Sequence, residues 1–354
     1  MKWDRIRLQP IYSGCPNRCR HCCDEGSPPF GDLMSLEDIQ WIVAEFDRAW
    51  QDTFGTPAHF RILEDGFEPT VHQDFIRLRQ YVMSFLPASR REEFDTLGTN
   101  GHGLARAPNW RSLFEELAAI GVRGLGFAVH GLEQEHDWFV QRDGAYQDIT
   151  PSATRALDSG LNVSFEIHLN KRNLASFPAI VDALERLCSG RARIWCGVPG
   201  FYMNDRLRAF DSLRPTKADW GRLADTLERA PDRGSNTEAH WTRLLTEKGK
   251  FAGLCTYEPA GRGPEERALA WLRITPAFDV IEMFESRPPL PHGNLKRDGI
   301  SRVWAGILEA VLPTMPEPEA LAQSYGNFES EALHPGVDSV YMKLCDRYWQ
   351  SRQV

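Results

Sequence analysis

The sequence contains no apolar run that approaches the length of a membrane span, and its N-terminus, Met1–Arg5, lacks the apolar core of a secretory signal. Positive charge is also in deficit, because 41 lysines and arginines face 49 aspartates and glutamates, giving a formal net charge of −8. An acidic balance argues against generic binding to nucleic acid or to a membrane surface. We therefore expect a cytoplasmic protein with no nucleic-acid partner and no membrane partner.

Cysteine is scarce as well. Only 8 of the 354 residues are cysteines, which is too few for a disulfide scaffold in a chain of this size. We find no internal repeat and no low-complexity tract. With 42% hydrophobic and 25% charged residues, the composition is that of a soluble globular protein long enough for one large domain and a smaller one.

Three of the cysteines, however, are concentrated in one short segment. Cys15, Cys19 and Cys22 lie in the sequence S-G-C-P-N-R-C-R-H-C, which directs three thiolates towards one small volume. Soft thiolate ligands select zinc or an iron–sulfur cluster over a hard cation. A structural zinc loop with Cys23 as fourth ligand is the alternative, but neighbouring cysteines rarely both reach one tetrahedral ion, and no second C-x2-C pair follows in the chain.

The spacing C-x3-C-x2-C resembles that of the radical S-adenosylmethionine (SAM) enzymes. The resemblance implies that Cys15, Cys19 and Cys22 ligate one [4Fe–4S] cluster and leave one iron open for the amino and carboxylate groups of SAM. It also implies reduction by an external donor of the flavodoxin or ferredoxin type, with cleavage of SAM, usually to a 5′-deoxyadenosyl radical. His21 stands where the family usually has an aromatic residue, and we expect it to pack over the cluster.

Strand-like and helix-like segments alternate over the first two thirds of the chain. Strands are expected at residues 6–12, 59–63, 94–97, 124–129, 163–169 and 192–198. Six strand–helix units predict an α/β fold with a parallel sheet and helices outside it. A doubly wound sheet would give the same local pattern, whereas the family resemblance implies a partial, TIM-like (β/α)6 barrel over residues 1–213. Residues 214–354 are expected to form a smaller α+β C-terminal domain.

Three motifs resemble the segments that hold SAM in the family. Gly66-Phe67-Glu68-Pro69 is similar to G-G-E-P, so Gly66 and Glu68 are candidates for the SAM amino group, although Phe67 replaces a glycine. Thr99-Asn100-Gly101 matches T-N-G and marks Thr99 and Asn100. The segment 136–146 resembles H-D-x-x-R-x-x-x-G-S-F, with Arg142 two residues beyond the usual arginine. A guanidinium fork suits a carboxylate, so Arg142 is the candidate for the SAM carboxylate.

Four further residues are candidates for catalytic contacts. His130 stands in the sequence A-V-H-G after the fourth strand, where related enzymes have aspartate, and a buried, hydrogen-bonded histidine is the equal alternative. Glu166 and His168 share one face of the fifth strand. Placing a carboxylate and an imidazole in a barrel lumen costs free energy unless both have hydrogen-bond or charge partners. Cys196 on the sixth strand could donate a hydrogen atom to a product radical, or it could be a small core residue.

The last third resembles the SPASM/twitch extension of radical SAM enzymes in its order of short motifs, such as 272–281 and His292-Gly293-Asn294-Leu295. That extension normally carries many cysteines, whereas only Cys255 and Cys345 lie beyond residue 213. Two thiolates cannot hold a cluster that needs four. We expect a degenerate extension that has no auxiliary cluster and serves as a lid or substrate wall.

These patterns predict an enzyme that cleaves SAM and initiates radical chemistry by hydrogen abstraction. The expected lack of an auxiliary cluster favours a redox-neutral reaction, and the lack of a peptide-recognition domain before the first strand favours a small metabolite of a specialised biosynthetic pathway. Three alternatives stay open: a peptide-modifying radical SAM enzyme, transfer of the aminocarboxypropyl group of SAM, and a non-catalytic iron–sulfur or zinc regulatory protein.

Overall fold

The computed structural model describes residues 5–22, 33–58, 60–62, 67–85, 95–197, 205–216, 269–283 and 289–310, together with 219, 324, 347–348 and 350–352. The strands are β1 (Arg5–Pro10), β2 (Phe60–Ile62), β3 (Thr96–Thr99), β4 (Gly124–Val129), β5 (Asn162–His168), β6 (Arg193–Gly197), β7 (Leu269–Ile274), β8 (Asp279–Glu282) and β9 (Leu290–Asn294).

The helices of the N-terminal two thirds are α1 (Leu36–Phe54), α2 (Phe75–Ser84), α3 (His102–Arg106), α4 (Trp110–Ala119), α5 (Glu133–Val140), α6 (Ala145–Asp158), α7 (Phe177–Cys188) and α8 (Asp205–Phe210). They are followed by α9 (Leu295–Asp298) and α10 (Ile300–Glu309). Among the described helices, none combines the length and the apolar character needed to cross a bilayer.

The six expected strands are present and parallel. β1 pairs with β2, and β3 to β6 pair in chain order, each strand being parallel to its neighbour. Within the described residues no ladder joins β2 to β3, so the strands form two sheets. The predicted α/β fold, a partial barrel with a strand-rich C-terminal part, is confirmed.

Alternation along β4 separates two faces of the sheet. Leu125, Phe127 and Val129 are buried in the hydrophobic cluster that the strands share with helices α6 and α7. The residues between them, Gly126 and Ala128, are less buried and lie on the opposite face, because successive side chains of a strand alternate. The second face is the lumen face of the partial barrel.

Helix α1 follows the cysteine segment and begins where the sequence predicts. Ser35 is its N-cap, and a reciprocal pair of hydrogen bonds with Asp38 forms a capping box. The helix ends at Gly55, whose φ of 70° lies in the left-handed region that favours glycine. These signals fix both ends of the helix that covers β1.

The C-terminal strands continue the sheet that contains β1. β7 pairs with β1 in parallel, and β8 and β9 add antiparallel strands beyond it. Trp304 of α10 packs against Phe46 and Trp50 of α1, and its indole N–H donates to Thr53 Oγ1 (2.8 Å). The C-terminal strands therefore share one hydrophobic cluster with β1 and α1, while the division at residue 213 stays a prediction.

Candidate active site

The cysteine segment lies between β1 and α1, and Cys15, Cys19 and Cys22 are all free of disulfides. Burial, followed by the negative charges of Glu68 and Cys22, raises the pKa of the Cys15 thiol to about 12. Burial also raises the pKa of Cys19, and Cys15 and Cys22 add to this shift because neighbouring thiolates repel one another. The three thiolates thus repel one another, and Arg206, which lowers the pKa of Cys19, supplies only part of the positive charge that would offset this repulsion. Iron ions would supply that charge, so the trio fits a thiolate-bound cluster.

Helix α5 holds the cysteine segment from behind. The backbone amide of Arg18 donates to the Val140 carbonyl (2.8 Å), and that of Arg20 donates to the Phe139 carbonyl (3.1 Å). The side-chain amide of Gln141 donates to the Arg18 carbonyl. The helix ends at Gln141, which takes a left-handed conformation with φ of 57°. The motif at residues 136–146 therefore buttresses the cysteines by backbone contacts that its residue types do not reveal.

The carboxylate of Glu68 is fully buried and accepts three hydrogen bonds from its own chain. The donors are the Thr99 hydroxyl (2.7 Å), the Thr70 hydroxyl and the Asn100 backbone amide. The Glu68 amide also donates to the Gly14 carbonyl (3.3 Å). Burial raises the pKa of Glu68, although the three hydrogen bonds oppose that rise. Glu68 therefore joins the loops after β2 and β3 to the start of the cysteine segment.

Asn100 lies next to the first cysteine. Its side-chain amide donates to Cys15 Sγ over 3.4 Å, and its side-chain oxygen accepts from the His102 amide (2.9 Å). A thiolate that accepts such a hydrogen bond is stabilised as an anion. Asn100 therefore contacts a sulfur of the predicted cluster directly.

Arg142 is held by two anchors. Its Nη1 donates to Asp148 Oδ2 (2.7 Å), and its Nε donates to Asn17 Oδ1 (2.6 Å). Burial alone would raise the pKa of Asp148, but hydrogen bonds from His102, Arg106 and Arg142 lower it to about 2. The Nη2 of Arg142 is buried and has no hydrogen-bond partner among the described residues. The guanidinium is thus fixed in place with one nitrogen left for an outside acceptor.

Three histidines meet where β4 and β5 end beside the cysteine segment. The ring centroids of His21, His130 and His168 lie 4.7–4.9 Å from one another. His168 Nδ1 lies 2.9 Å from His21 Nε2, and its Nε2 lies 3.1 Å from Glu166 Oε1. Burial lowers the pKa of both His21 and His130 well below the usual range. His130 also stacks on the Phe139 ring at 4.3 Å, so it is a buried aromatic contact as well as a member of this group.

The lumen face carries small residues at the centre of the second sheet. Gly98 is in register with Gly126, and Ala128 is in register with Glu166, which in turn pairs with Trp195. Trp195 is 40% exposed, and the Glu166 side chain is 35% exposed. Small residues therefore lie beside the partly exposed Glu166 and Trp195 on this face.

Cys196 lies on the opposite face of the sheet. It is in register with Ile167, and both belong to the hydrophobic cluster between the strands and the helices. Burial, followed by the charge of Glu166, raises the pKa of Cys196 to about 12, so the sulfur stays a thiol at neutral pH. The structure does not bring Cys196 into the group formed by His130, His168 and Glu166, and its part as a hydrogen-atom donor stays a prediction.

Comparison with known families decides the class of this site. A family model described as the radical SAM superfamily matches residues 10–184, which contain the cysteines, the buried glutamate and the fixed arginine. Residues 10–184 form a radical SAM domain. The protein is accordingly an enzyme, and the predicted cofactors, a [4Fe–4S] cluster and SAM, are confirmed. A purely regulatory metal protein has no further support.

Two curated relatives are similar over most of this radical SAM chain. Fe-coproporphyrin III synthase of Methanosarcina barkeri (strain Fusaro / DSM 804) is 25% identical over 305 residues, covering 84% of this chain and 65% of that protein. PqqA peptide cyclase of Methylobacterium sp. (strain 4-46) is 24% identical over 315 residues, covering 84% of this chain and 72% of that protein. The chain thus spans about two thirds of the length of these relatives. Among solved structures, anSMEcpe with bound AdoMet aligns over 98% of this chain and 94% of that chain, with 12% identity and a TM-score of 0.48.

Sequence reasoning located much of this site but missed its connecting residues. Asn17 occupies a variable position of the cysteine motif, and Thr70 and Asp148 belong to no motif quoted above, yet they position Arg142 and Glu68. The only signal for Asp148 is an acidic residue in the first turn of α6, a position that also suits simple helix capping. Gly66, Cys23, Cys255 and Cys345 lie outside the described residues, so the predictions on them, including a tail without an auxiliary cluster, stay predictions.

Proposed function

We propose that Cys15, Cys19 and Cys22 hold the [4Fe–4S] cluster and that Arg142 holds the carboxylate of SAM at the open iron. The observation that carries the proposal is the group of three neighbouring cysteine sulfurs whose thiolates would repel one another in the absence of metal ions. When bound and reduced by a flavodoxin- or ferredoxin-type donor, the cluster and SAM supply a 5′-deoxyadenosyl radical that abstracts a hydrogen atom. We place this chemistry in the cytoplasm, where thiols stay reduced.

The residues around the sulfurs position different parts of the cluster and of SAM. Asn100 donates to Cys15 and so stabilises one cluster ligand as a thiolate. Glu68 orients Asn100 and Thr99 through its buried carboxylate. Arg142 keeps Nη2 available because Asn17 and Asp148 occupy its other nitrogens. A SAM carboxylate would meet a preformed cationic donor and would lose little entropy in ordering it.

The substrate that we propose is a small metabolite of a specialised pathway, transformed without net oxidation. The substrate would bind over the lumen face, where the small residues Gly126 and Ala128 lie beside the polar Glu166 and the exposed ring of Trp195. Hydrogen abstraction needs a substrate carbon held near the SAM ribose and shielded from water. The buried, stacked rings of His130 and Phe139 would contribute to that shielding.

Product analysis with isotopically labelled SAM tests the proposal. Under anaerobic, reducing conditions the wild type should form 5′-deoxyadenosine, and Cys19→Ala should form none. Formation of methylthioadenosine with transfer of the aminocarboxypropyl group would overturn hydrogen abstraction as the reaction. A control variant, Cys188→Ala, removes a buried thiol of α7 that lies in the core cluster and should cleave SAM at the wild-type rate.

A peptide substrate is the second candidate, and the similarity to a PqqA peptide cyclase favours it. The two candidates differ in the size of molecule that must reach the lumen face. The test is to incubate the enzyme with a short peptide encoded next to this gene and to measure the mass of the peptide. A mass change that requires both SAM and reductant would assign a peptide, and not a small metabolite, as the substrate.

A further inference from the structure

His21, His130 and His168 come from three separate parts of the chain and converge on one point. His21 belongs to the cysteine segment, His130 follows β4, and His168 ends β5. Among the described residues they are the one group of three or more potential ligands whose donor atoms all lie within 4.8 Å of one another. His21 and His130 each stand at a position where the family motifs quoted above have another residue type, so those motifs do not account for three imidazoles at this position.

The spacing of the three rings matches that of a tetrahedral metal site. A Zn–N bond of about 2.0–2.1 Å, extended by about 1.1 Å from the nitrogen to the ring centre, puts each centroid about 3.2 Å from the ion. At tetrahedral angles, the centroids of three imidazole ligands are then about 5.2 Å apart. The observed separations of 4.8 Å, 4.7 Å and 4.9 Å form a nearly equilateral triangle close to that size.

The hydrogen bonds of His168 direct a lone pair towards the centre of the trio. Glu166 is an acceptor, so His168 Nε2 carries the proton of the 3.1 Å contact with that carboxylate. His168 Nδ1 is then unprotonated and accepts a hydrogen bond from His21 Nε2 at 2.9 Å, so a bound ion would take the place of that proton. A carboxylate behind a histidine is the arrangement that orients metal-bound imidazoles in proteins and strengthens them as ligands.

The other two histidines have unused nitrogens in a buried place. Nδ1 of His21 and Nδ1 of His130 are both buried, and neither has a hydrogen-bond partner among the described residues. His130 is 2% exposed. A buried polar atom left without a partner costs free energy of about 1–3 kcal/mol, so each such atom in a native protein calls for a partner, such as a bound ion or a water molecule.

We propose that His21, His130 and His168 form a three-histidine site for one divalent transition-metal ion, with Zn²⁺ as the representative ion and Glu166 as the residue that orients His168. Imidazole nitrogen ligands suit Zn²⁺ and its neighbours, whereas the cysteine sulfurs suit the cluster. The fourth position of the ion accepts an oxygen atom of the substrate, such as a carboxylate or carbonyl oxygen. The ion would hold and polarise this oxygen beside the place where SAM is cleaved.

Zinc binding to the enzyme with its cluster assembled tests this inference, because the cysteines are then occupied by iron. Zn²⁺ alone is the probe, and its affinity is measured in competition with a chromophoric chelator. X-ray absorption at the zinc edge then identifies the ligands, since Zn–N distances of about 2.0 Å differ clearly from Zn–S distances of about 2.3 Å. We expect one zinc ion per chain with a nitrogen and oxygen shell. Affinity should fall at least 100-fold in His130→Gln and His168→Gln, and about 10- to 100-fold in Glu166→Gln.

His292→Gln is the matched control, because it removes an imidazole of β9 that pairs with Glu282 and does not belong to the trio. It should bind zinc like the wild type. Zinc coordinated by sulfur, no zinc bound by the wild type, or unchanged affinity in both trio variants would each overturn the inference. Iron and sulfide content, measured in every preparation, separates this result from the proposed function. A trio variant that keeps the normal cubane content but loses zinc binding supports the three-histidine site. If the wild type binds zinc through nitrogen but assembles no cubane, only the proposed function is contradicted.

Discussion

Replacement of Glu68 tests whether this buried carboxylate organises the site rather than facing solvent. Glu68→Ala removes the acceptor of three donors: the hydroxyls of Thr70 and Thr99 and the backbone amide of Asn100. The hydroxyls can rotate towards other acceptors, so each loss costs about 1 kcal/mol, while the fixed amide of Asn100 costs about 2 kcal/mol when it is left unsatisfied. The free energy of unfolding should therefore fall by about 4 kcal/mol.

Glu68→Gln separates the contribution of the two hydroxyls to this loss of stability from that of the Asn100 amide. The amide oxygen of glutamine can still accept from both hydroxyls, but its NH₂ group then faces the Asn100 amide, and two donors cannot bond to each other. We expect a loss of about 2 kcal/mol, half that of the alanine variant. Glu115→Gln, an exposed change on α4, is the control and should cost less than about 0.5 kcal/mol.

Chemical denaturation of the cluster-free chain, followed by circular dichroism, measures these three differences. Metal-free protein is used because a bound cluster would add its own binding energy to the stability. If Glu68→Ala lowers the free energy of unfolding by no more than the Glu115→Gln control does, the glutamate is not the organising group that its contacts indicate. The same result would remove the argument that Glu68 sets the position of Asn100 beside Cys15.

Four further predictions follow from named contacts. Asn100→Leu removes the donor to Cys15 and should shift the cluster midpoint potential to more negative values in a titration monitored by electron paramagnetic resonance. Arg142→Lys should weaken SAM binding at least 10-fold by calorimetry, because an ammonium cannot contact Asn17, Asp148 and a carboxylate together. Asp148, whose pKa falls from 3.8 to about 2 on folding, contributes roughly 2 kcal/mol that is present above about pH 4 and lost as the pH falls through about 2, a loss that Asp148→Asn should lack in acid unfolding. Ala128→Trp should fill the lumen face and abolish substrate turnover while SAM cleavage continues without substrate.

Each of these predictions has an outcome that contradicts it. An unchanged potential in Asn100→Leu would mean that its amide does not act on the cluster ligand. Equal SAM affinity in Arg142→Lys would assign the SAM carboxylate to another donor. If the free energy of unfolding falls with pH in the same way for the wild type and Asp148→Asn below pH 4, the ion pairs of Asp148 do not stabilise the fold. Normal turnover in Ala128→Trp would mean that the substrate binds elsewhere.

The strands and the cysteine site could be predicted from the sequence because their signals are local. The trio Cys15, Cys19 and Cys22 needs only its spacing, and the T-N-G motif comes at the end of a strand that the sequence predicts. Thr99 and Asn100 were found in this way at the end of β3, and the structure places both beside Glu68. The parallel order of β3 to β6 follows from the strand–helix alternation by the same reasoning.

The contacts that join distant segments could not be predicted. The pairing of β1 with β7 links residues more than 250 positions apart, and no local pattern specifies such a partner. Asp148 lies in the first turn of an ordinary amphipathic helix, so its partners His102 and Arg106 become visible only when α3 and α6 pack together. Cys196 shows the limit of strand alternation, because the face that holds a residue depends on the register with β5, and that register places it with Ile167 in the core.

The measurement that tests the central claim most directly is iron and sulfide analysis with Mössbauer spectroscopy on the anaerobically reconstituted protein, comparing the wild type with Cys15→Ala, Cys19→Ala and Cys22→Ala. The account predicts a cubane with a distinct iron site that responds to added SAM in the wild type and in Cys188→Ala, and loss of that cubane in each of the three variants. A full complement of SAM-responsive cubane in any of those variants, or zinc in place of iron at the wild-type cysteines, would contradict it.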